Sequence, residues 1–179
     1  MVRCIGWCIP LDKRWLSVGQ ITLFGMLAAL TFGAKVAMSG LPNIEPVTLM
    51  MLVMGAVFGW KALCPMWVYV TAEILFYGLG TWNFNYLYIW LIPVAAGVLL
   101  RRVRNPFVWA LISGVYGLLF GALCAPVDVF IGGVGYAVSK WISGIPFDVM
   151  HCAGNFVLAL VLFVPLRSLT EKLYGKMRR

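Results

Sequence analysis

Charge is the scarcest property of this sequence. Only 11% of its 179 residues are Asp, Glu, Lys or Arg, against 63% hydrophobic ones. A water-soluble domain of this length carries about a quarter charged residues. The deficit excludes a fully hydrated surface, and an integral membrane protein is expected. Histidine is almost missing too, since His151 is the single one. A His-Glu-x-x-His metal motif is therefore impossible. No G-x-S-x-G elbow occurs, and Gly55 to Lys61 has the wrong spacing for a phosphate-binding P-loop. The chain is accordingly expected not to be an enzyme, with no catalytic residue, no metal and no cofactor. Its five cysteines, Cys4, Cys8, Cys64, Cys124 and Cys152, are odd in number and lie mostly in or beside apolar runs. They fit free thiols better than a disulfide framework. A cleavable leader is not expected either, because the short apolar stretch 4–11 runs into Asp12, Lys13 and Arg14 without a small-residue cleavage site.

Apolar runs are what the chain has in quantity. A helix needs about 20 such residues to cross roughly 30 Å of hydrocarbon. Six runs stand out, at about 15–36, 46–60, 62–80, 84–100, 106–127 and 146–166. They leave no room for a soluble domain. The expected fold is an all-α membrane protein, one compact bundle of six transmembrane helices over residues 1–179. Residues 129–139 are apolar but few, and Gly132, Gly133 and Gly135 weaken a helix there. Residues 128–145 are therefore expected to form an interfacial or re-entrant loop.

Six crossings place both termini on one side. That side collects Arg3, Lys13, Arg14, Lys61, Arg101, Arg102, Arg104, Arg167, Lys172, Lys176, Arg178 and Arg179, which are 12 of the 14 basic residues. The positive-inside rule makes it cytoplasmic. Topology and lipid contact then account for the net charge of +8 without nucleic acid.

Polar residues gather toward the opposite, outer side. Asp148, His151 and Asn155 are spaced by three and four, which puts them on one face of the last helix. Glu73 lies about 10 Å inside the outer end of the third run, with Tyr69 and Tyr77 one turn to either side. An ionisable group at that depth is costly and normally faces a cavity or a partner. A Glu73 pair with His151 or Lys35 that merely holds helices together is the structural alternative. The run "GTWNFNYLYIW", Gly80 to Trp90, adds Trp82, Asn83, Asn85, Tyr86, Tyr88 and Trp90. Aromatics alone fit an interfacial belt, but stacking faces with amides also suit a planar polar ligand. The loop "SGLPNIEPV", Ser39 to Val47, contributes Asn43 and Glu45. The expected ligand-binding residues are Lys35, Asn43, Glu45, Glu73, Tyr77, Trp82, Asn85, Tyr88, Asp148, His151 and Asn155. A single outer cavity is expected to bring Glu73, Tyr77, Asn85, His151 and Asn155 together. Asn155→Leu is expected to weaken ligand binding with little harm to folding.

Small residues recur every four positions in two places. Gly25, Ala29, Gly33 and Ala37 line the first run, and Ser113, Gly117, Gly121 and Ala125 the fifth. Such stripes let another helix approach closely, whether from the same chain or another.

The ordered set of features resembles the substrate-capture (S) components of the energy-coupling factor (ECF) vitamin importers of prokaryotes. The resemblance covers nearly the whole chain. It rests on six compact runs in under 200 residues, on "LAAL" with small residues in the first, on "PNIEPV" opening the second, and on "GIPFDVMHCAGNFVLALVLFVPL" with its basic tail. It implies a multi-pass protein of a prokaryotic cell membrane that binds a vitamin-like substrate near the outer face, a cobalamin-type ligand being the first guess. It also implies docking on a transmembrane coupling subunit with two cytoplasmic ATPase subunits. The family's alanine-x-x-x-alanine docking pattern maps onto Ala29-x-x-x-Gly33, with glycine for the second alanine and with Gly25 and Ala37 as alternative registers. A self-contained secondary transporter or channel, with Glu73 as a proton or ion site, is the rival expectation.

Overall fold

The computed structural model describes residues 16–40 and 44–177, which are all-helical, with no strand among them. Helix α1 (Val18–Ala37) opens with a capping box, in which the Ser17 hydroxyl accepts from the Gln20 amide while the Gln20 side chain accepts from the Ser17 amide. Helix α2 (Val47–Phe58) follows, then a 3₁₀ turn (Gly59–Ala62) and α3 (Leu63–Tyr77). Gly59 and Gly78 end α2 and α3 with φ of 62° and 82°, values that glycine adopts without strain. Next come the short α4 (Trp82–Tyr86), α5 (Leu91–Leu99), α6 (Pro106–Leu118) and α7 (Phe120–Met177). Asn105 caps α6 and Pro106 fills its first turn, where a missing N–H costs nothing.

Four stretches are long and apolar enough to cross a membrane: Val18–Ala37, Val47–Tyr77, Trp82–Leu99 and Pro106–Met177. Contacts fix how the chain folds back within them. Lys35 reaches both Glu45, just before α2, and Glu73, near the end of α3. The chain therefore leaves this end along α2, reverses at the turn after Gly59 and returns along α3.

Helix α7 is broken at Gly133, whose φ of 80° and ψ of 175° are not helical. Gly121 meets Asp148 and Asp128 meets Lys140, so the two arms, 120–132 and 134–177, run antiparallel. This corrects the expected loop at 128–145. Those residues are helical on both sides of one glycine, while Gly132 and Gly135 stay within the arms. The Lys140–Asp128 bond of 2.6 Å offsets their low propensity by stitching the hairpin near its tip. The expected run 84–100 corresponds to the stretch Trp82–Leu99, which is interrupted by a turn. Regular α-helix resumes only at Leu91, after α4 and a turn.

Helix α2 is the axis of the bundle. Every residue from Val47 to Ala56 is buried, which matches its lack of any polar face. It crosses α5 where Gly55 meets Val94 and Gly97. In lipid, close packing of this kind replaces the hydrophobic effect as the force between helices.

Candidate functional site

The two ends of the bundle carry different chemistry. Ser17 donates to the Met177 carbonyl at 3.4 Å and Gln20 to Tyr174 at 3.2 Å, so the start of α1 and the finish of α7 lie together. At the same end Arg167 donates to the carbonyls of Arg101 (2.6 Å) and Val103 (2.9 Å), pinning the 100–105 loop to α7. Burial pushes the Glu171 carboxyl up, but bonds from Arg167 and Arg104 outweigh it and hold the group below its ordinary range.

The opposite end holds the candidate site. Lys35 Nζ donates to Glu73 Oε2 at 2.9 Å and to the Tyr86 hydroxyl at 3.0 Å, and lies 3.8 Å from Glu45. It sits 5.3 Å from the Tyr86 ring centre and 5.9 Å from that of Tyr77, within cation–π range. Glu73 is 1% exposed, while the side chains of Lys35 and Glu45 above it are 18% and 19% exposed. Burial holds the Glu45 carboxyl above its ordinary range, against the pull of Lys35. The Lys35–Glu73 pair that the sequence offered as a structural alternative is thus present, and it carries aromatic walls with it.

A chain of rings leads inward from this cluster. Trp82 packs on Tyr86 (4.9 Å between centres), Tyr86 on Trp90 (5.4 Å), and Trp90 on Tyr69 (6.0 Å) and Phe120 (6.2 Å). Phe120 in turn meets His151 at 4.9 Å. Several buried polar atoms along this path have no hydrogen bond: the Tyr69 hydroxyl, Glu73 Oε1, Trp90 Nε1, His151 Nε2, Ser113 Oγ and Asn155 Oδ1. Tyr69 neighbours Glu73 closely but makes no bond of hydrogen-bonding geometry with it. Buried polar atoms are normally paired with protein, water or ligand, so this concentration marks the path as a candidate site.

The expected site residues fall into two groups rather than one cavity. Lys35, Glu45, Glu73 and Tyr77 come together, with Tyr77 half-exposed at the rim. Trp82 adjoins them through Tyr86. His151 and Asn155 lie behind the wall of Trp90 and Phe120. The Tyr88 hydroxyl donates to the Leu123 carbonyl at 2.6 Å and lies 3.0 Å from the Asn85 side-chain oxygen. Asp148 accepts from the Gly121 amide at 3.1 Å and joins the two arms of α7. Asn155 donates to Thr48 (3.2 Å) and to the Ser113 carbonyl (3.3 Å), tying α7 to α2 and α6. Its amide nitrogen therefore ties helices together, which weighs against the expectation that Asn155→Leu spares the fold. Asn43 lies outside the described residues.

Tyr69, Tyr86 and Trp90 adjoin the cluster although they were not among the expected ligand-binding residues; Tyr86 and Trp90 belong to the aromatic run that suited a planar ligand. The i, i+4 spacing of Tyr86 and Trp90 was the available signal. Nothing in the sequence marked Phe120 or Thr48. A groove of about 390 Å³ lies elsewhere, between α5 and α6, and its lining includes Ile92, Ala96, Leu111 and Val115.

Of the residues expected to dock a partner, Ala29, Gly33 and Ala37 are exposed and Gly25 is half-buried. A methyl added at Gly25 or Gly33 meets no atom within 4 Å. Compared with protein-family models, with curated proteins and with solved structures, the chain finds no match.

Proposed function

We propose that this chain is the substrate-capture subunit of an ECF-type importer, crossing a prokaryotic cell membrane six times with both termini in the cytoplasm. It binds a vitamin or related micronutrient at the outer face and passes it to a transmembrane coupling subunit driven by two ATPase subunits. The observation that carries this reading is the Lys35–Glu45–Glu73–Tyr86 cluster, a charged and aromatic nest at one end of an otherwise apolar bundle, with orphaned polar atoms behind it. Four of the chain's ionisable or phenolic groups converge where hydrocarbon makes each of them expensive. The reversals at Gly59 and Gly133 support six crossings. Arg101, Arg102, Arg104 and Arg167 at the other end support the orientation. The bare stripe on α1 supports a partner helix. The geometry adds nothing in favour of a cobalamin-type ligand.

The rival reading, a secondary transporter or channel with Glu73 as its ion site, uses the same carboxylate. Lys35 at 2.9 Å already occupies Oε2 of that carboxylate and is itself held by Tyr86, which favours capture over ion passage. The test is affinity purification of the tagged chain from its own membranes, together with solute uptake by the cells. Copurifying ATPase subunits support the reading, and Ala29→Trp or Gly33→Trp is expected to remove both them and uptake while the isolated protein melts normally. Uptake that persists without any ATPase subunit refutes it.

A further inference from the structure

The cluster at the mouth of the site is not electrically balanced. Lys35 is the one cation that the described residues bring to two carboxylates, Glu73 at 2.9 Å and Glu45 at 3.8 Å. The other side chains around them are aromatic and bring no second cation: Tyr77 from α3, Tyr86 from α4 and Trp90 at the start of α5. One ammonium against two ionised carboxylates leaves one negative charge over. Buried charge in apolar surroundings is kept only with a compensating partner or a proton. The lower carboxylate also has a free hand. Glu73 gives Oε2 to Lys35, while Oε1 is buried without a bond, beside the unbonded Tyr69 hydroxyl. The faces of Tyr77 and Tyr86 already hold one cation, the ammonium of Lys35.

Building on the capture reading, we infer that this site accepts an aromatic cation, whose positive charge lies between Glu45 and Glu73 and whose ring lies against Tyr77 and Tyr86. In the empty protein a proton on Glu45 stands in for that charge. Glu45 is the carboxylate that exchanges protons readily, because its side chain is 19% exposed against 1% for Glu73. Its raised titration, caused by burial and opposed by Lys35, fits that role. Arrival of the cation releases the proton. Affinity therefore rises with pH as Glu45 ionises and levels off above that range. His151 and Asp148 do not enter the profile, because Phe120 and the Gly121 amide are what they meet.

Three pyridines of one size test this: 1-methylnicotinamide as the cation, nicotinamide as its neutral form and nicotinate as the anion. Each is titrated against the purified full chain, and the melting temperature is read. The cation is expected to stabilise most and nicotinate not at all. The cation's effect is expected to grow with pH in the unmodified protein and in His151→Gln alike. Its apparent Kd is expected to rise about tenfold in Glu45→Gln, which removes one attracting charge, and to fall in Lys35→Gln, which removes the competing one. Stabilisation by nicotinate equal to that by the cation, or a response flat in pH, overturns the inference without needing any variant to fold. Failure of all three probes also overturns it, but leaves the capture reading to the ATPase copurification.

Discussion

Two stripes of small residues repeat every four positions, and they meet opposite fates. Along α6 and the start of α7, Ser113 is fully buried and Gly117 and Gly121, with Gly114 beside the stripe, are pressed against the chain itself. An added methyl at Gly117 would stand 2.8 Å from the His151 carbonyl carbon and oxygen. One at Gly121 would stand 2.5 Å from Asp148 Oδ2, and one at Gly114 would meet Phe156 at 3.3 Å. Along α1, Ala29, Gly33 and Ala37 are exposed, and methyls at Gly25 and Gly33 meet nothing. The same pattern thus serves internal packing in one helix and leaves a bare face in the other. A small-residue stripe announces a close approach without saying by whom.

The contrast is sharpest in Gly117→Leu. Backbone atoms of the facing arm cannot yield, so the loss of stability is expected to be about 3 kcal/mol or more, read by thermal unfolding in detergent. A protein that melts normally would show that the hairpin arms separate freely and would erase half of the comparison. Asn155→Leu removes the polar tie among the same helices, including the bond to Thr48, which is left orphaned. A loss of about 1–2 kcal/mol in the ligand-free protein is expected. Unchanged unfolding alongside lost ligand binding would return Asn155 to the site. Gly121→Ala meets a side chain rather than backbone. Asp148 can swing away, so the expected cost is about 1 kcal/mol, the worth of its bond to the Gly121 amide. Adding Asp148→Ala should then cost little more, a coupling that a double-mutant cycle measures. Gly33→Leu is the smallest of the set, expected within about 0.5 kcal/mol of the parent when the chain is alone. A large loss there would mean that the α1 face is covered even in the isolated protein.

The two polar regions repeat the lesson. Asp148, His151 and Asn155 share a helical face as their spacing required; His151 Nε2 and Asn155 Oδ1 are both unbonded, and His151 meets the aromatic wall through Phe120. Asp148 and the Asn155 amide are consumed by α7's own hairpin and by its contacts with α2 and α6. Lys35, Glu45 and Glu73 come from three separate stretches, and their depths within the runs were legible because charge in an apolar run is conspicuous. Their mutual distances were not legible. They depend on the reversal at Gly59, which lets α2 and α3 bring Glu45 and Glu73 to the same ammonium.

By itself the sequence determined the class of this protein. Too few charges for a wet surface, and too many apolar residues in runs of helix length, leave an all-helical chain with stretches fit to cross a membrane. It also determined which residues are out of place there, because each carboxylate, ammonium or amide among hydrocarbon needs a reason. Tertiary structure alone decided what those residues do. A stripe, a buried amide or an aromatic run has the same periodicity whether it meets its own chain, a ligand or a partner. Only the reversals at Gly59 and Gly133 settle which helices come within bonding reach. Hydrogen bonds and close packing act over a few ångströms, a distance that spacing along one helix cannot specify between two.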